Sequence, residues 1–171
     1  MFNDNSQRKI PEEIKKDFDE LKGKVNRIKN AILKEFEKYI LGIALLPQLD
    51  NQENKPKEGN KKGVDLLILV DDSNSKDVNF FALKDKIVTA VGKITKEIDE
   101  SIIPNVLLKY ELIESCYDAK YEILNMISLG AIVYDPTDML AAIKIAEVHK
   151  SMTIKKFDKY IVSYVAAGSL F

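Results

Sequence analysis

Apolar positions recur at helical spacing through the first quarter of the chain. Ile14, Phe18, Leu21, Val25, Ile28 and Ile32 follow a 4-3-4-3-4 spacing, and Phe36 and Tyr39 extend it. That spacing sets them all on one face and predicts a single long helix over residues 11–40. Pro11 suits a first helical turn, and Glu12 and Glu13 complement the positive end of the helix. Gly23 weakens its middle by about 1 kcal/mol relative to Ala. The stripe has two uses: to pack on its own domain, or to pair with another chain. Fewer than three clean heptads are present for the second.

The pattern then changes period. Residues 41–46 (LGIALL) form an apolar run of strand length. Residues 47–63 hold two Pro, two Gly and three Asn with no periodic apolar residue, which predicts a mobile loop. Residues 64–70 (VDLLILV) are nearly continuous in apolar side chains, as a central strand covered on both faces requires. Phe80, Leu83, Ile87, Val91, Ile94 and Ile98 mark the buried side of a helix over about 79–100. Pro104 interrupts, and 106–113 (VLLKYELI) reads as another strand. A helix follows over 118–129 with Gly130 placed to end it, then a short strand over 131–134. Asp135 and Pro136 open a last helix reaching about His149. The expected fold class is α/β (α+β): a small mixed sheet flanked by helices, with a long N-terminal helix. The expected division is a disordered tail over 1–10, one domain over 11–150, and the start of a second, truncated repeat over 151–171.

That repeat is visible in the residues. Lys34–Leu46 reads KEFEKYILGIALL and Lys155–Ala167 reads KKFDKYIVSYVAA, at an offset of 121 residues. Lys34, Phe36, Lys38, Tyr39 and Ile40 recur as Lys155, Phe157, Lys159, Tyr160 and Ile161. Both copies read as a helix end running into an apolar strand, so the chain is expected to be part of a two-unit protein.

Composition narrows the class. With 171 residues, 46% hydrophobic and 31% charged, the chain can build a core without disulfides or zinc, and disorder is excluded. No apolar run approaches the length of a membrane span, and the N-terminus is too polar for a secretory signal. The single cysteine, Cys116, fits a reducing cytoplasm. A net charge of −1 argues against broad nucleic-acid binding, and Arg8 and Arg27 are the only arginines, so bidentate phosphate forks are scarce.

The strongest pattern is a strand, a loop, and a second strand carrying an acid: LGIALLPQ, fourteen residues, then Gly63-Val64-Asp65-Leu66-Leu67. Over roughly residues 30–135 this resembles the polymerase-β-like nucleotidyltransferase superfamily, and as a whole the chain resembles archaeal proteins with tandem domains of that type. The resemblance implies that a Gly-Ser pair holds a nucleoside triphosphate, that two strand carboxylates one residue apart hold Mg²⁺, and that a third acid on a neighbouring strand completes the site. Here Pro47-Gln48 stands in place of the first Gly-Ser and Gly63 in place of the first acid. Asp65 remains as catalytic and metal-binding candidate, with Glu111 as the third acid. Gly168-Ser169 resembles the nucleotide-binding entry of a second unit. The resemblance thus implies a degenerate domain with Mg²⁺ and a nucleotide as its ligands.

Other features have plainer readings. Asp71-Asp72 suit a solvated strand end capping a turn with Ser73 and Asn74. His149 suits the last turn of its helix. Cys116 has no partner for chemistry. Lys55, Lys57, Lys61 and Lys62 suit a solvated loop. Tyr117, Tyr121 and Tyr134 suit core or rim positions. Three functional readings stand: a degenerate nucleotidyltransferase domain with a structural, regulatory or nucleotide-binding role beside a second unit or in a homo-oligomer; an active Mg²⁺-dependent nucleotidyltransferase acting on a protein, RNA or small-molecule hydroxyl; and an interaction module that pairs through the N-terminal helix.

Overall fold

The computed structural model describes residues 12–47, 63–73, 80–118 and 120–165. The predicted N-terminal tail, all of the predicted loop except Pro47 and Gly63, and Gly168-Ser169 lie outside the described residues. The elements run α1 (Glu12–Phe36), a single 3-10 turn (Glu37–Tyr39), β1 (Ile40–Leu45), β2 (Val64–Val70), α2 (Phe80–Ile98), β3 (Ile102–Leu108), α3 (Lys109–Tyr117), α4 (Glu122–Leu129), β4 (Ala131–Tyr134) and α5 (Met139–Phe157).

The four strands form one mixed sheet in the order β3-β2-β1-β4. β1 is antiparallel to both β2 and β4, and β2 runs parallel to β3 through the α2 crossover. The expected α+β architecture with a long N-terminal helix is therefore the observed one. As its unbroken apolar run requires, β2 lies inside the sheet and is covered on both faces. Leu66, Ile68 and Val70 pack against α1 and α2, through Val25, Ile28, Ile32, Leu83, Ile87 and Val91. Leu67 and Leu69 point the other way, toward Leu112, Ile127, Leu140 and Ile143. From Leu21 onward the α1 stripe thus packs on its own domain. Lys24 ties the helix to the α2–β3 turn, bonding Glu20 at 2.7 Å and Asp99 at 2.9 Å.

Three expectations need correction. First, β3 begins at Ile102, before Pro104, and ends at Leu108. As an edge strand it leaves one side unpaired, so a residue without an N–H is tolerated. The stretch expected to be its second half is α3 instead. Glu111 closes that helix's first turn: its Oε2 accepts the Leu108 N–H at 2.9 Å, which diverts the chain from the strand.

Second, the helix expected over 118–129 starts late, as α4 at Glu122, and ends at Leu129 as expected, while α3 has already closed at Tyr117. Gly130 does follow α4, but at φ −69° it is extended rather than left-handed. Its need is space: a Cβ there would lie 2.7 Å from the Leu45 carbonyl oxygen.

Third, α5 starts at Met139 and runs to Phe157, eight residues beyond His149. Asp135 still caps it, accepting the N–H groups of Leu140 at 3.2 Å and Ala141 at 2.8 Å. A helix therefore crosses the expected boundary at 150. The two repeat copies agree up to a point. Phe36 and Phe157 each end a helix, and each is followed by a tight turn. The first copy then enters the sheet as β1, whereas residues 161–165 of the second join no strand.

Candidate functional site

A cleft of about 520 Å³ opens on the α4 side of the sheet, where β1 ends and β2 begins. Leu46, Pro47, Leu67, Leu107, Ile123 and Met126 make most of its wall. Its polar groups come from two adjacent strands. Alternation along β2 puts Asp65 on the same face as Leu67 and Leu69, and the parallel register sets Leu67 opposite Asn105 on β3. Asn105 Nδ2 then donates to Asp65 Oδ1 at 3.0 Å. Concave, mostly apolar, with a few convergent polar groups, this cleft has the general form of a ligand site.

Asp65 thus lies on β2 with its carboxylate at the cleft. The other expected groups do not join it. Glu111 sits on α3, beyond Leu108, which pairs with Val70 at the far end of β2. Five residues of strand, about 16 Å, separate Val70 from Asp65. Glu111 also has its own partners: Lys84 of α2 and the Leu108 N–H. It is a helix-capping residue paired with a lysine, and its carboxylate does not converge with that of Asp65.

The neighbouring-strand position is taken instead by Asn105, which sequence reasoning missed. Starting β3 after Pro104 left Asn105 outside the strand. The alternation Ile103, Asn105, Leu107 opposite Asp65, Leu67, Leu69 is the signal that would have found it.

Gly63 lacks the first carboxylate, and the room for one is occupied. A Cβ at Gly63 would meet Ile103 Cδ1 at 2.6 Å and the Ser101 carbonyl oxygen at 3.2 Å. Pro47 lines the cleft but has no N–H to give a phosphate. Mg²⁺ demands near-octahedral oxygen ligation, keeps several waters, and is held by one or two carboxylates together with substrate phosphates. Among the described residues no three acid, histidine or cysteine side chains gather to hold a metal ion. The described side-chain donors of this cleft are one carboxylate and one amide, fewer than the paired carboxylates that the resemblance implies.

The remaining candidates have local roles. Asp71 Oδ1 accepts the Ser73 N–H at 3.0 Å, the expected turn cap, while Asp72 is buried rather than solvated. His149 lies in the body of α5, with Nδ1 2.9 Å from the Tyr164 hydroxyl. Cys116 is half-buried, and burial together with the Glu147 charge pushes its thiol pKa up, away from reactivity. Tyr134 packs against the core, whereas Tyr117 is 87% exposed. No helix among the described residues is long and apolar enough to cross a membrane. No protein-family model and no curated protein matches the chain.

Proposed function

We propose that this chain is a degenerate nucleotidyltransferase-like domain, with a structural or regulatory role beside a second unit rather than a catalytic one. The observation that carries the reading is the Asp65–Asn105 hydrogen bond. The resemblance asks for carboxylates on two neighbouring strands around Mg²⁺, and this corner offers one acid that accepts a hydrogen bond from an amide. Gly63, its Cβ direction filled by Ile103, supports the same reading. A lone carboxylate next to an amide donor offers Mg²⁺ the fewest protein charges such a site uses. The active alternative rested on Glu111 as third acid, and the place of Glu111 at the opposite end of β2 gives it no support.

Calorimetric titration with ATP, CTP, GTP and UTP, with and without Mg²⁺, tests the proposal on the chain and on Asp65→Asn. The expected result is no Mg²⁺-dependent binding and no difference between the two proteins. Mg²⁺-dependent binding that Asp65→Asn abolishes would return the domain to the active class.

A further inference from the structure

We infer that this chain self-associates, with the first two turns of α1 from one copy lying in a groove on α5 of a second copy. The inference does not depend on the enzymatic history of the cleft. Its starting point is an apolar stripe that outruns its own core. Leu21 and Val25 of α1 pack against the sheet, but Ile14 and Phe18, two turns and one turn before Leu21 on the same face, are 58% and 64% exposed. Every residue from Ile14 to Glu20 is exposed, so this end of the helix projects past the domain.

A receiving surface exists on α5. That helix buries Met139, Leu140 and Ile143 against the sheet, yet Ile145, Val148 and Met152 form a second apolar stripe at i, i+3, i+7. They are 69%, 49% and 67% exposed and line a groove of about 420 Å³ with Lys144 and His149. Seven residues of helix span about 10 Å, enough to cover the about 6 Å from Ile14 to Phe18. Two exposed apolar helical stripes on one molecule are what helix-in-groove recognition uses.

Charge says which stripe meets which. Residues 12–20 of α1 hold five acids and two lysines, a net charge of −3. Residues 144–157 of α5 hold four lysines and Glu147, a net charge of +3 with His149 neutral. Like helices would therefore repel, α1 from α1 and α5 from α5, while α1 and α5 attract. Each copy carries both surfaces, so a twofold axis gives two equivalent contacts and closes the assembly as a dimer.

Light scattering of the natural chain, of Phe18→Glu, of Val148→Glu and of an equimolar mixture of the two variants tests the inference. Both positions are exposed, so both variants keep the natural chain's circular dichroism. The natural chain is expected to be a dimer at micromolar concentration, weakened by added salt. Each variant alone loses both contacts, and its dissociation constant rises about tenfold or more. The mixture retains one unaltered contact and regains part of the dimer. A natural chain that stays monomeric overturns the inference and leaves the groove to residues 166–171 or to another protein. Dimers that survive both variants, or variants whose mixture restores nothing, also overturn it. The last result would point to α1 pairing with α1.

Discussion

Asp65 shows how a residue's meaning depends on its neighbour. In the sequence it is an acid at the start of an apolar strand, two residues on from Gly63, where the resemblance expects a second acid. In the structure its Oδ1 receives the Asn105 amide at 3.0 Å. This corner can be rebuilt in principle. Restoring acids requires Gly63→Asp and Asn105→Asp, and Ile103→Ala to clear the space a side chain at 63 would enter. The triple variant is expected to bind Mg²⁺ at millimolar concentration by calorimetry where the natural chain does not. Equal heats in the two proteins would contradict the reading of the corner as a lost metal site.

Asp99 gives a prediction about pH. The Ser101 hydroxyl, the Lys24 ammonium and the Ser101 N–H hold its carboxyl well below the usual carboxylate range. A group whose pKa is lower folded than unfolded stabilises the fold above its unfolded value, about 3.9, and loses that contribution as pH falls toward the folded value. Urea denaturation at about pH 6 and about pH 3 is expected to show a smaller acid loss for Asp99→Asn than for the natural chain. An identical loss would remove Asp99 from the account.

At the scale of elements, period separates what the chain announces from what it hides. α1 and α2 were legible because each keeps a helical period over several turns, and β2 because its unbroken apolar run ends in Asp71-Asp72. β4 was legible from its bounding Gly130 and Asp135. β3 and α3 were not, because VLLKYELI is too short to distinguish a strand from a helix by period. Two local facts decide it: Pro104 is harmless on an edge, and Glu111 caps a helix. The extension of α5 to Phe157 was hidden because its exposed stripe continues where a short helix would have ended.

These assignments predict mutational outcomes. Replacing Val25 and Ile28, 3% and 0% exposed, with Lys is expected to unfold the domain, since each change buries an unpaired charge. A folded double variant by circular dichroism would show that α1 does not pack as described. Gly130→Ala is expected to cost about 1–3 kcal/mol in urea denaturation, because the added methyl meets the Leu45 carbonyl oxygen at 2.7 Å. A neutral result would mean that β1 and the α4–β4 turn can part without loss.

The whole molecule is a sheet with α1 and α2 on one face and α4 and α5 on the other, and its two candidate surfaces lie apart. The cleft opens on the α4 side of β2 and β3, at the Asp65 end, while the apolar groove lies on the outward side of α5. The architecture was legible as a whole, because alternating helix and strand patterns around one continuous apolar strand leave few arrangements. The site was half legible. Asp65 falls in the cleft and Glu111 does not, because which acids converge depends on register and on where a strand stops. The repeat was legible as residues. Its second apolar stretch still fails to form a strand over 161–165, where Val162 is fully exposed and nothing among the described residues pairs with it.

Whether the Asp65 corner can hold a divalent ion is the question on which the proposed function turns. Mn²⁺ takes oxygen ligands as Mg²⁺ does and broadens the NMR signals of nearby protons. The measurement is the Mn²⁺-induced broadening of the Asn105 side-chain amide in the folded chain. The account predicts broadening no greater than beside an exposed single carboxylate such as Asp158. Selective broadening at Asn105, abolished by Asp65→Asn, would contradict it and make this corner a working metal site.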